Sequence, residues 1–275
     1  MSILIQTRRK FMLSSASIAA SFFRGISPSQ AMNTNSPSTM KTVYHPSQSR
    51  GAADHGWLNA RHSFSFADYH DPERMGFGVL RVLNDDIIAA GRGFGTHPHR
   101  DMEILTIPLE GDLKHNDSMG KEEVIRHGDV QVMSAGTGIT HSEFNANKDR
   151  EVKLLQIWIK PRERGVKPRY DQISLKERNI PNQLQQILSP NPNDEGVWIH
   201  QDAWFHLGEF TQSTELLYNY KKSGNGLYVF VIDGEITVAD HALNARDGLG
   251  VSDITQLKLK ANAGARVLLM EVPMA

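Results

Sequence analysis

The sequence predicts an all-β chain built from two tandem antiparallel sandwiches or barrels of the jelly-roll kind, and two observations carry that prediction. Short runs of aliphatic, aromatic and β-branched residues recur along the chain, separated by Gly, Asn, Asp and Pro, while helical periods are scarce. A pattern from the first half also returns in the second. Leu227 to Val238 repeats the apolar run, Gly turn and alternation of Ile104 to Leu113, and Gly248-Leu249-Gly250-Val251 echoes Gly128-Asp129-Val130-Gln131. With 275 residues and 39% hydrophobic side chains, the chain has room and core for two such units.

Taken in order, residues 1–31 read as a processing segment. Arg8 and Arg9 precede an apolar run, Phe11 to Phe23, that is too short to span a bilayer, and Ser29-Gln30-Ala31 offers small residues where a signal peptidase cuts. The stretch Thr7 to Leu13 resembles a twin-arginine export motif. The expectation is a periplasmic protein with no membrane anchor after processing, or a cytoplasmic one where the signal does not function. Residues 32–40, rich in Ser, Thr and Asn, read as a spacer.

The first domain is then expected over residues 41–165. Its strand candidates are Val43-Tyr44, Phe64 to Phe66, Gly78 to Leu83, Asp86 to Ile88, Glu103 to Asp112, Val124-Ile125, Val130 to Met133 and Val152 to Ile159. Pro161 to Tyr170, charged and flanked by proline, reads as the link to a second domain over residues 166–275.

Composition removes several function classes. Lys and Arg total 30 against 31 Asp and Glu, so no basic excess draws the chain to nucleic acid or an anionic membrane. The chain has no cysteine, which rules out disulfides, thiolate metal sites and iron–sulfur clusters. Nothing in the sequence calls for a partner subunit, and a monomer is expected.

The chemistry concentrates in Thr96-His97-Pro98-His99-Arg100-Asp101-Met102-Glu103 and in Gly138-Ile139-Thr140-His141-Ser142-Glu143-Phe144-Asn145. In a strand, alternate side chains share a face, so His97 pairs with His99 and His141 with Glu143. Pro98 cannot donate to a ladder and suits an edge strand. Three imidazoles and a carboxylate, with no soft ligand, suit Fe(II), Mn(II), Ni(II), Cu(II) or Zn(II). Glu103, four residues past His99, is on the same face if the strand runs on unbroken, and stands as the alternative carboxylate.

These stretches resemble the two motifs of the cupin superfamily. Gly91 to Glu103 fits the first. Gly128 to Asn145 fits the second with two departures: Ser134 stands where proline is usual, and the glycine ahead of the histidine is Gly138 rather than Gly136. The departures resemble pirins, and more closely the bacterial pirin-like quercetin dioxygenases, which are similar also over Trp57 to Phe66. The resemblance runs from about Val43 to the C-terminus.

It implies a bicupin with one divalent metal, Fe(II) first, on His97, His99, His141 and Glu143. The carboxylate then comes from the second motif, as in pirins, and Glu143 doubles as the catalytic base. The implied reaction cleaves a flavonol such as quercetin with O2. A non-enzymatic, redox-sensitive iron protein that binds partners, and another metal-dependent cupin enzyme, remain as alternatives.

The remaining histidines read as structural. No His-x-His occurs in the second half, so His200, His206 and His241 are expected to be surface or hydrogen-bonded residues, and that domain to lack a metal. His115 and His127 lie beside turns and are expected to be solvated. His62 is expected to serve folding, and Trp57, Phe64 and Phe66 the core or an aromatic pocket.

Overall fold

The computed structural model describes residues 39–176 and 180–274. The expected export segment and nearly all of the spacer lie outside the described residues. Among the described residues the regular structure is all β-strand apart from one 3-10 turn at Ser47–Ser49.

The first repeat carries β1 (Lys41–His45), β2 (Gly51–Asp54), β3 (Leu58–His62), β4 (Leu80–Ile88), β5 (Gly93–His99), β6 (Glu103–Glu110), β7 (Asp112–Asp117), β8 (Glu122–Arg126), β9 (Asp129–Ser134), β10 (Ile139–Asn145) and β11 (Val152–Ile159). The second carries β12 (Arg169–Ser174), β13 (Leu184–Ser189), β14 (Val197–Trp198), β15 (Trp204–Glu209), β16 (Thr214–Asn219), β17 (Asn225–Asp233), β18 (Glu235–Val238), β19 (His241–Asn244), β20 (Gly248–Ser252), β21 (Gln256–Ala261) and β22 (Arg266–Pro273).

Each repeat contributes a large and a small sheet. The large sheets run β12-β9-β6-β11-β4-β3-β2 and β1-β20-β17-β22-β15-β13-β14, and the small ones β5-β10-β7-β8 and β16-β21-β18-β19. The orders correspond strand for strand except at the outer edge, where β2 pairs antiparallel with β3 but β14 pairs parallel with β13, and this is the bicupin architecture expected from the internal echo. The echo has a backbone cause: β6 passes to β7 through Gly111 and β17 to β18 through Gly234, at φ 74° and 73°, a region that favours glycine.

The correspondence also shows an exchange. β1 opens the first repeat but pairs with β20, and β12 opens the second but pairs with β9. Asp247 fastens the first of these, accepting from the Tyr44 hydroxyl at 2.9 Å and the Ser47 N–H at 2.7 Å. Residues 41–45 therefore belong to the second sheet system and residues 169–174 to the first.

Strands buried on both faces explain why the central runs are continuously apolar rather than alternating. On β6, Leu105, Ile107 and Leu109 join a core that also holds Phe205, Tyr228, Phe230, Leu268 and Met270 of the second repeat. The two large sheets thus pack on each other, with a small sheet outside each. The opposite face of β6, with Ile104 and Thr106, looks into the first sandwich, where the histidine strands β5 and β10 lie. In the second sandwich, β21 takes the place of β10, and its buried residues Leu257, Leu259 and Ala261 fill an apolar core where β10 carries His141 and Glu143.

Candidate metal centre

β10 alternates as its sequence requires, with His141, Glu143 and Asn145 buried and Thr140 and Phe144 exposed. It pairs antiparallel with β5 so that His141 lies opposite His97 and Ile139 opposite His99. A bulge between His141 and Glu143 then brings Glu143 opposite Phe94. Gly93 allows this close pairing, since a Cβ there would lie 2.1 Å from the Glu143 carbonyl oxygen.

The outcome is a cluster of three imidazoles. Ring centroids are 4.9 Å apart for His97 and His99, 4.4 Å for His97 and His141, and 4.8 Å for His99 and His141. One nitrogen from each lies within 4.8 Å of the others. The same distance groups Glu143 with His141 and His115, so His141 is shared between two sets.

Hydrogen bonds select which nitrogens are free. The Gly95 carbonyl only accepts, so His97 Nδ1, 2.8 Å away, carries the proton and Nε2 keeps its lone pair. A carboxylate chain sets His141 in the same way. His115 Nε2 donates to Asp117 Oδ2 at 3.1 Å, which leaves His115 Nδ1 as acceptor for His141 Nδ1, 3.5 Å away. His141 Nε2 is then a buried lone pair with no hydrogen-bond partner. Burial first, and then the neighbouring imidazoles, push His99 down to about 4 and His141 to about 3, so both are neutral at physiological pH. Neutral imidazoles with unanswered nitrogens fit a divalent transition metal.

Glu143 is held from behind. Gln156 Nε2 donates to its Oε1 and Oε2, each at 3.1 Å, and the Thr106 hydroxyl lies 3.4 Å from Oε1. These groups belong to one polar row across the large sheet, His62–Asn84–Gln156–Thr106–Gln131, set by the strand pairing.

A cavity of about 390 Å³ opens on the cluster. His97, His99 and Glu143 meet it, and Trp57, Phe66, Phe94 and Trp158 form its aromatic walls. Trp57 stands edge-on to Phe94 at 5.2 Å, and Trp158 edge-on to Phe66 at 5.3 Å. Asp86 also lines it, with burial as the main cause that pushes its carboxyl up to about 8.

Several expected placements change. Glu103 does not join the cluster: its carboxylate accepts from the Ser134 hydroxyl at 2.7 Å, on the face of β6 that carries Leu105. The strand does not run on unbroken, because the chain turns at Asp101 with φ 49° and β6 restarts the alternation. His115 is not solvated but 1% exposed, inward on β7 beside Leu113. His206 is neither at the surface nor hydrogen-bonded at Nδ1; it is buried against Tyr218. His127 is exposed as expected, and His62 is buried, bonding Asn84 Oδ1 at 2.9 Å. Phe64 is core, whereas Trp57 and Phe66 face the cavity.

Sequence reasoning took His115 for a solvated residue and assigned no site role to Asp117, Gln156, Thr106, Asp86 or Trp158. Thr106 and Gln156 carried a signal, each a single polar residue inside an apolar run, whereas Asp86, His115 and Asp117 sit among polar neighbours that hide them.

Comparison with known proteins shows what the chain is similar to. The Pirin family model matches residues 43–159, and the model for the quercetinase C-terminal cupin domain matches residues 186–272. Over 224 residues the chain is 42% identical to a quercetin 2,3-dioxygenase of Escherichia coli K12, covering 82% of this chain and 95% of that protein. It is 37% identical over 227 residues to a pirin-like protein of Caulobacter vibrioides, covering 82% and 97%. Among solved structures, the bacterial pirin YhhW of Escherichia coli in complex with nickel(II) superposes with a TM-score of 0.81 at 40% identity, over 86% of this chain and all of that one.

Proposed function

Because the chain belongs to the pirin family, we propose that it is a metal-dependent oxidoreductase of the quercetin 2,3-dioxygenase type. It cleaves the central ring of a flavonol with O2 and releases carbon monoxide. One observation carries the reading: three clustered imidazoles, two of which line an aromatic-walled cavity, offer nitrogens close enough to share one ion, and the third keeps a buried nitrogen without a partner. Its volume, about 390 Å³, falls in the range of about 300–1,000 Å³ usual for small-molecule sites. The quercetin dioxygenase name of the 42% identical relative supports the same reaction.

His97, His99 and His141 hold the metal, with Glu143 as the carboxylate ligand. Iron(II) is the metal the pirin resemblance favours, and nickel(II), with which the YhhW structure is in complex, is its direct competitor. When bound, the cation supplies Lewis acidity that lowers the pKa of an enol oxygen or water placed on it.

The chain's own groups do the rest. The aromatic walls sandwich a flat ring and keep water away from it. Glu143, fixed by Gln156, accepts the proton that the substrate hydroxyl gives up. The Asp117–His115 pair keeps His141 in one tautomer, so its Nε2 faces the cluster.

The test is oxygen uptake and carbon monoxide release with a panel of flavonols, using protein loaded in turn with iron, nickel, copper, manganese and zinc. Uptake that His97→Ala and His141→Ala abolish supports the proposal. Loaded wild-type protein that consumes no oxygen with any flavonol refutes it and favours a metal-dependent binding module.

A further inference from the structure

The carboxyl of Asp86 is out of keeping with its surroundings. The two carboxylates whose charges act on it are answered: Asp85 pairs with Arg50 at 3.1 Å, and Glu143 accepts from Gln156. Asp86 is 5% exposed, and its Oδ1 is buried with no hydrogen-bond partner. Its cross-strand neighbours on β3 and β11, Ala60 and Leu154, have no polar side-chain atoms to offer. Buried polar groups are nearly always paired, because an unpaired one forfeits its hydration without return. An unanswered carboxyl in a cavity wall therefore points to a donor that arrives from outside the chain.

The cavity restricts what that donor is. Asp86 shares it with the aromatic walls, so the group comes on a flat apolar body rather than as a free cation. Asp86 belongs to neither group of side chains close enough to share an ion. Its partner is therefore separate from the oxygen placed at the imidazoles.

We infer that Asp86 is a specificity residue, which accepts a hydrogen bond from a second ring hydroxyl of the bound aromatic and so selects polyhydroxylated flavonols over those with only the enol hydroxyl. This rests on the flavonol reading given above. Because burying an unpaired carboxyl costs free energy, removing it leaves the fold intact and raises thermal stability.

The experiment is anaerobic titration of metal-loaded protein, followed by quenching of Trp57 and Trp158 fluorescence, with quercetin, galangin and 3-hydroxyflavone. Galangin lacks the hydroxyls on the pendant ring, and 3-hydroxyflavone has only the enol hydroxyl. Wild type should bind quercetin roughly threefold to tenfold more tightly than 3-hydroxyflavone, the net worth of one hydrogen bond. Asp86→Leu should lose that preference, keep its metal and melt at a higher temperature. Asp86→Asn, whose amide oxygen still accepts, should keep most of it.

An unchanged preference in Asp86→Leu overturns the inference, as does a lower melting temperature, which would reveal a structural partner. If wild type oxidises flavonols without preferring the polyhydroxylated ones, this inference fails and the functional reading stands. If wild type neither binds nor oxidises any of the three, the functional reading fails and takes this inference with it.

Discussion

Replacing Gln156 by Leu isolates the support of Glu143, because the two side chains are of similar size and only the amide is lost. Gln156 Nε2 lies 3.1 Å from each carboxylate oxygen, so it places one N–H between them, and Glu143 is only 4% exposed. A hydrogen bond to a charged group contributes about 1.5–3 kcal/mol, and water cannot readily replace it at that depth. The variant also sheds the burial cost of the amide, which brings the expected loss in metal-free protein to about 2 kcal/mol. At about 2–4 °C per kcal/mol for a protein of this size, the melting temperature should fall by about 4–8 °C. A bound cation offsets the carboxylate charge, so the loss in metal-loaded protein should be smaller. The metal should nevertheless bind about 10–100-fold more weakly, as when other supports of a ligand are removed. Paired melts of metal-free and loaded protein, with a chelator competition for affinity, measure both quantities. Equal melting temperatures and equal affinities in Gln156→Leu and wild type would refute the view that this amide holds the carboxylate.

Four further outcomes are expected. Glu143→Gln should keep most of the metal while activity drops about 10²–10⁴-fold, the usual worth of a positioned base; metal content and turnover measured on one sample decide it. Gly93→Ala should lose metal and cost about 1–3 kcal/mol, since its Cβ meets the Glu143 carbonyl and, at 2.5 Å, Phe144 Cα, forcing β5 off β10; metal analysis and a urea melt check it. Burial, and then Lys221, push His206 down to about 4 from its ordinary 6.5, so the unfolded chain takes up the proton first as pH falls. Its contribution is therefore lost from about pH 6.5 down to 4, at roughly 1.4 kcal/mol per pH unit, and His206→Leu should flatten the pH–stability curve in that window. Last, we propose that Arg8 and Arg9 direct export, so replacing both with Lys should leave the precursor in the cytoplasm on fractionation.

The ligand strands were legible because β5 and β10 keep strict alternation over the few residues that matter, so His97 with His99 and His141 with Glu143 could be paired from spacing alone. Glu103 was misplaced by the same arithmetic. Alternation counts only within one strand, and the left-handed residue Asp101 between β5 and β6 resets it. His115 was obscured by its neighbouring turn residues, although Leu113, two positions earlier, already marked the inward face of β7. The Thr106–Gln156–Asn84 row was not visible as a row, because lateral alignment of three strands depends on long-range pairing. For the same reason nothing local assigned β1 to a sheet completed some two hundred residues later, at β20.

That reciprocal pairing of β1 and β12 bears on how the molecule is made and how it fails. A ribosome releasing the first repeat has delivered β9 without its neighbour β12, leaving an open edge able to recruit another nascent chain. The apolar face around Leu105 and Ile157 also stays wet until the second repeat covers it. Neither half is a product that evolution or an engineer can cut free: a fragment ending at residue 165 should precipitate rather than form a smaller enzyme. Synthesis therefore commits to the whole chain before any of it is secure, and the second repeat, which carries no such histidine cluster among the described residues, is still needed to complete the first.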